Sequence, residues 1–157
     1  MTYVLDTQGV RNALAGILVD RDTATLPQSG REDIFTIAGG RVLITSIVGE
    51  VTTVLGAGTT PEIKVVFNPD ATGASTDLCA NLNVASDAVG TLYSVSGDYS
   101  APMTQGLLTL ESPAVVQAPF MLSEGVIELE CDESITGSIA WSITYIPYDD
   151  GATVTAA

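Results

Sequence analysis

The sequence contains no histidine, a single lysine, and no basic residue of any kind after Lys64. The first absence removes Ser-His-Asp and Cys-His nucleophile systems, imidazole acid–base catalysis and His-liganded zinc. The second leaves Lys64, within Glu62-Ile63-Lys64-Val65-Val66-Phe67, as the only lysine available for Schiff-base chemistry, and its apolar neighbours read instead as a strand residue with a solvated tip. The third sets the electrostatics. Residues 1–64 carry five bases against seven acids, residues 65–157 carry 12 acids and no base, and the whole chain stands at −14. A field of that sign repels phosphate, so neither nucleic acid nor an anionic membrane surface is expected as a partner. It favours cations or a basic protein surface.

Other signatures are missing as well. There is no Walker loop, no G-x-G-x-x-G after a strand, no G-x-S-x-G elbow and no C-x-x-C pair. No apolar run is long enough to span a bilayer. No secretion signal is read at the N-terminus, where Asp6 precedes any base and the run Ala13 to Val19 is interrupted by Gly16. The two cysteines, Cys79 and Cys131, permit one disulfide worth up to ~4 kcal/mol. In Val126-Ile127-Glu128-Leu129-Glu130-Cys131, however, Cys131 shares its face with Ile127 and Leu129. It is expected to be a buried thiol.

What is present suits a packed domain. A chain of 157 residues, 46% hydrophobic and 15% charged, can bury roughly 70% of the surface its unfolded form exposes, but it has few charges to cover its outside. From Ile34 onward short runs rich in Val, Ile, Thr and aromatics alternate with Gly, Pro, Asp and Ser, which predicts an all-β fold, a β-sandwich or jelly-roll of about eight short antiparallel strands. The expected strands are Ile34 to Ile37, Arg41 to Val48, Val51 to Leu55, Ile63 to Phe67, Asp77 to Leu82, Thr91 to Ser96, Leu107 to Leu110, Val126 to Cys131 and Ser138 to Ile146. Gly39-Gly40 reads as a tight hairpin turn. Ile139, Trp141, Ile143 and Tyr145 share one face of the clearest alternating strand, and Trp141 is expected to be its largest core contributor.

The expected organisation is an N-terminal arm over residues 1–33, a β-sandwich domain over 34–148 and a small-residue tail over 149–157. In the arm Val10, Leu14, Ile17 and Leu18 fall at helical spacing, weakened by Gly9 and Gly16. Apolar residues there and three of the five bases suit a contact with a neighbouring surface. The interface residues expected are Arg11, Leu14, Ile17, Leu18 and Arg21, with local pairing of the arginines as the competing reading.

Paired carboxylates are the remaining route to catalysis. Glu128 and Glu130 lie two apart on one strand face and read as solvated gatekeepers, and Asp149-Asp150-Gly151 reads as a turn. Acid-bearing loops at Asn68, Asp70 and Asp77 and at Asp132 and Glu133 have the oxygen chemistry that calcium takes, but no known loop spacing, so Asx-type turns are expected. No catalytic residue, cofactor or metal is assigned. The chain is read as a non-enzyme that works by building interfaces.

The stretch Phe35-Thr36-Ile37-Ala38-Gly39-Gly40-Arg41-Val42-Leu43-Ile44-Thr45-Ser46-Ile47-Val48-Gly49-Glu50-Val51-Thr52-Thr53 resembles small structural proteins encoded among the virion genes of tailed bacteriophages. So do Asp77-Leu78-Cys79, Asp87-Ala88-Val89-Gly90-Thr91-Leu92-Tyr93 and the run from Trp141 to Ala152. The resemblance covers residue 34 to the end and consists of packing and turn motifs. It implies a head decoration (cement) protein, a homotrimer bound to the major capsid protein on the capsid surface of the virion and assembled in the cytoplasm of the bacterial host. The alternative is a carbohydrate- or receptor-binding head-fibre or tail module. Its isolated loop aromatics are Tyr99 and Tyr148, few for a sugar site.

Overall fold

The computed structural model describes residues 7–56, 58–71, 73–107 and 118–157. Within them a short helix α1 (Thr7–Ala15) precedes β1 (Ile17–Thr25), β2 (Gln28–Ala38), β3 (Val42–Thr53) and β4 (Glu62–Pro69). Two two-residue strands follow, β5 (Thr76–Asp77) and β6 (Leu82–Asn83), then β7 (Thr91–Ser94), β8 (Thr104–Leu107) and β9 (Phe120–Leu122). The chain closes with β10 (Gly125–Ser134), β11 (Ser138–Pro147) and β12 (Thr153–Ala156). The fold is an all-β sandwich of two antiparallel sheets. The first has the order β1-β11-β3-β7-β8 with β9 beside β3, and the second β12-β2-β10-β4-β5 with β6 beside β4.

Alternation explains both the strands and the core. Along β11, Ile139, Trp141, Ile143 and Tyr145 are buried while Ser138, Ala140, Ser142 and Thr144 face out. Along β10 the inward set is Ile127, Leu129 and Cys131. These faces meet Ile34, Phe35, Ile37, Ile44, Ile47, Ile63 and Val65 in one continuous core, where each fully buried aliphatic contributes ~1.5–3 kcal/mol. Trp141 is 2% exposed. A Cβ on Gly49, its cross-strand partner, would lie 2.9 Å from the indole, so the glycine between two expected strands is the floor beneath the tryptophan. Val42–Thr53 is therefore one strand, not two.

The connections differ from expectation. Gly39 and Gly40 take φ values of 78° and 131°, but they do not close a hairpin: β2 belongs to the second sheet and β3 to the first. The turn instead carries the chain across the sandwich. A Cβ on Gly39 would come 2.5 Å from the Gly151 carbonyl oxygen, so glycine is needed for both conformation and space. β1 to β2, β3 to β4, β10 to β11 and β11 to β12 also change sheets. β7 and β8 do form a local antiparallel pair.

The boundaries expected at residues 33/34 and 148/149 are corrected by the pairing. β1 is hydrogen-bonded along β11, with Ile17 opposite Tyr145, Val19 opposite Ile143 and Arg21 opposite Trp141. Gln28 to Asp33 pair with β10, and Thr153–Ala156 pairs with β2. Residues 17–33 and most of 149–157 thus belong to the sandwich. The strand expected over 107–110 begins earlier, at Thr104, and its positions 108–110 lie outside the described residues. Both cysteines are free and buried. Cys79 Sγ accepts a hydrogen bond from the Val65 N–H at 3.3 Å. Burial pushes the Cys79 thiol up to about 11 and that of Cys131 up to about 12, so both are protonated at neutral pH.

Candidate functional site

The five residues expected at an interface are not equivalent in the structure. Arg11 lies in α1, and its side chain is outside what is described. Leu14 is 82% exposed and Leu18 43%. Ile17 packs partly buried against the core. Arg21 points inward at the sheet edge, donating from Nη2 to Glu32 Oε1 at 2.8 Å and from Nε to the Ala157 carbonyl at 3.2 Å. Local pairing wins for this arginine: it ties β1 of one sheet to β2 and the C-terminus in the other. Leu14 and Leu18 are the members that present apolar surface.

The second sheet's outer face is covered by its own charges. Glu130 on β10 lies directly between Arg31 on β2 and Lys64 on β4. Arg31 Nε donates to Glu130 at 2.5 Å, Lys64 Nζ reaches Glu130 at 3.3 Å and Asp77 at 3.0 Å, and Arg31 Nη1 reaches Glu128 at 3.4 Å. Asn68 Nδ2 donates to the other oxygen of Glu128. Glu128 and Glu130, expected to be solvated, are instead ion-paired, and Glu128 is only 9% exposed. The hydrogen bond to Glu130 raises the already high Arg31 pKa. For Lys64, burial pulls the pKa down but Asp77 and Glu130 outweigh it.

The first sheet's outer face is different in kind. Ile146 on β11, Leu43 on β3 and Met121 on β9 stand side by side in register, with Leu18 of β1 on the same face opposite Thr144. Ile146 is 37% exposed and Met121 43%. Further along lie Ser142, Val48, Ser94 and Leu92, then a shallow depression bordered by Asp20, Asp22 and Glu50. These three acids pair with no base among the described residues. Val42-Leu43-Ile44 and Tyr145-Ile146 carried the signal, because consecutive apolar residues in a strand force one of them outward.

At one end of the sandwich Arg41 is clamped by Asp149. Its Nε and Nη2 donate to the two carboxylate oxygens at 2.9 and 2.8 Å, and its backbone N–H adds a third bond of 2.9 Å. These bonds hold the Asp149 carboxyl down to about 2. The guanidinium lies 4.8 Å over the Tyr148 ring. Arg41 also lines a groove that Tyr99 walls, so the two loop aromatics, far apart in sequence, meet at one arginine.

Of the acid-bearing loops weighed for calcium, the one at Asp132 and Glu133 serves the fold. Asp132 accepts the Glu62 N–H and Glu133 the Thr59 N–H. Among the described residues no three His, Cys, Asp or Glu side chains are grouped so as to hold a metal ion, and no helix there is long and apolar enough to cross a membrane. Comparison of the chain with protein-family models, curated proteins and solved structures finds no match.

Proposed function

We propose that this protein is a decoration (cement) protein of a tailed-bacteriophage head, docking on the major capsid protein through the outer face of its first sheet. The observation that carries the reading is the apolar row of exposed Leu18, Met121 and Ile146 with half-buried Leu43 between them, side by side on one antiparallel sheet. Exposed aliphatic area forgoes about 25 cal/mol for each Å² it could bury, and a partner recovers that. The acids Asp20, Asp22 and Glu50 beside the row select a partner with an apolar strip flanked by Lys or Arg. A second copy brings the same acids and no unpaired base among the described side chains. The trimer that accompanies this reading therefore assembles through other surfaces. The virion setting rests on the resemblance of residues 34 to 157.

The test is co-sedimentation of the pure protein with undecorated phage heads. The full chain binds at low salt and more weakly at high salt. Leu18→Ser with Ile146→Ser weakens binding by more than about ten-fold, as loss of an interface anchor does, with unchanged thermal stability. Wild-type protein that stays in the supernatant, or a double variant that decorates normally, refutes the proposal.

A further inference from the structure

We infer that the Arg41 end of the sandwich is a binding cleft for a neutral saccharide, with one subsite for the apolar face of a sugar ring and an adjoining one for its hydroxyls. The first subsite is a groove of about 430 Å³ whose apolar walls come from Phe67, Leu78, Met121 and Tyr99, with the hydroxyls of Thr76 and Ser123 at its border. The second is a depression of about 380 Å³ that shares Arg41 and Ser123 with the first and adds Asp70 and Glu124. Each falls in the size range of small-ligand sites, which pair apolar walls with a few convergent polar groups.

Three features make this a prepared surface. Tyr99 is 51% exposed, yet its ring is held edge-on against Phe120, with centroids 6.2 Å apart at 73°. The loop that carries it is pinned by Asp98 Oδ1, which accepts both the backbone N–H and the hydroxyl of Ser100 at 2.9 and 2.7 Å. A fixed, half-exposed aromatic face stacks on the C–H face of a pyranose with little ordering cost. Arg41 is likewise held rigid by Asp149 and Tyr148. Its Nη1 makes no hydrogen bond within the described residues, nor do the side chains of Thr76, Ser123, Asp70 and Glu124, so donors and acceptors stand ready on both sides of the shared border.

The mixed charge selects the ligand class. Asp70 and Glu124 repel an anion, and the whole chain at −14 adds to that. Arg41 is already neutralised by Asp149, so no free positive charge is left in the cleft to hold an anion. A neutral ring bearing many hydroxyls satisfies the carboxylates as a donor and the guanidinium as an acceptor, while its carbon face covers Tyr99 and Met121. The cleft shares Met121 with the docking row, but saccharide binding does not rest on head docking.

The test applies the full-length protein to a glycan array of neutral and sialylated oligosaccharides, followed by an NMR titration with a neutral glycan that is retained. Retention is confined to neutral glycans, and the amide signals of Tyr99, Met121 and Ser123 shift together. Tyr99→Ala then weakens binding about ten-fold, the equivalent of 1.4 kcal/mol. Ser123→Ala weakens it by a smaller factor. Tyr99→Phe, which keeps the stacking ring, retains most of the affinity and separates stacking from any effect on folding. An array on which no neutral glycan is retained, or on which sialylated glycans bind best, overturns the inference. Undiminished binding by Tyr99→Ala does the same.

Discussion

The outer faces of the two sheets are built from strands of similar length and pleat, yet they meet solvent in opposite ways. On the second sheet Arg31, Lys64, Glu128, Glu130 and Asp77 neutralise one another across β2, β10, β4 and β5. On the first sheet the acids Asp20, Asp22 and Glu50 form no ion pair within the described residues, because Arg21 beside them is committed to Glu32, and aliphatic side chains stand open. The lesson is that net charge alone does not say where charge is available. Every base with a described side chain is committed within the chain, Arg21 to Glu32, Arg41 to Asp149, and Arg31 and Lys64 to the ladder. The closed face stabilises the fold; the open one is the surface proposed for docking.

Four experiments probe that contrast. The largest effect is expected where the faces have a common support. A chain that starts at residue 34 loses β1, the edge partner of β11, and half of β2. It is expected to show no cooperative thermal transition in far-UV circular dichroism, whereas an independent arm would leave a folded, melting sandwich. Next, Trp141→Ala removes the largest buried side chain of the first sheet and costs ~3–5 kcal/mol in chemical denaturation; a loss under about 1 kcal/mol would contradict its place over Gly49.

The third experiment sets the faces directly against each other. Glu130→Gln strips Arg31 and Lys64 of a shared partner and is expected to cost about 1–2 kcal/mol, discounted because all three side chains are partly exposed. Ile146→Ser on the open face stays within about 0.5 kcal/mol of the parent. Equal losses at the two sites, read from urea midpoints, would erase the distinction.

The smallest effect is a pH dependence at the sandwich end. The Asp149 carboxyl is held down to about 2, below its unfolded value of about 3.9. Its contribution is therefore fully present above about pH 4 and is lost as the pH falls through about 2. In an NMR titration the signals of Arg41 and Tyr148 move in that low window, and Asp149→Asn removes the movement. A midpoint near 4 would mean that the clamp does not form.

Sequence alone determined what depends on near neighbours. Alternation at Ile139 to Tyr145 and at Ile127 to Cys131 named the core faces, the inward Cys131 and the all-β class, because side-chain direction in a strand has a period of two whatever the strand pairs with. The absence of histidine and the lopsided charge were equally plain. Tertiary structure decided the rest. The helical spacing of Ile17 and Leu18 with Val10 and Leu14 points to an arm, and only Trp141 and Ile143 across the ladder show why Arg21 and Val19 face inward on a strand. Gly39-Gly40 looked like a hairpin because a local sequence encodes a reversal, not the sheet that the next strand joins. Arg41, Asp149, Tyr148 and Tyr99 form one cluster only once strands consecutive in the chain have been dealt into opposite sheets. That allocation is set by which apolar faces bury best together over long sequence separations, and no local pattern carries it.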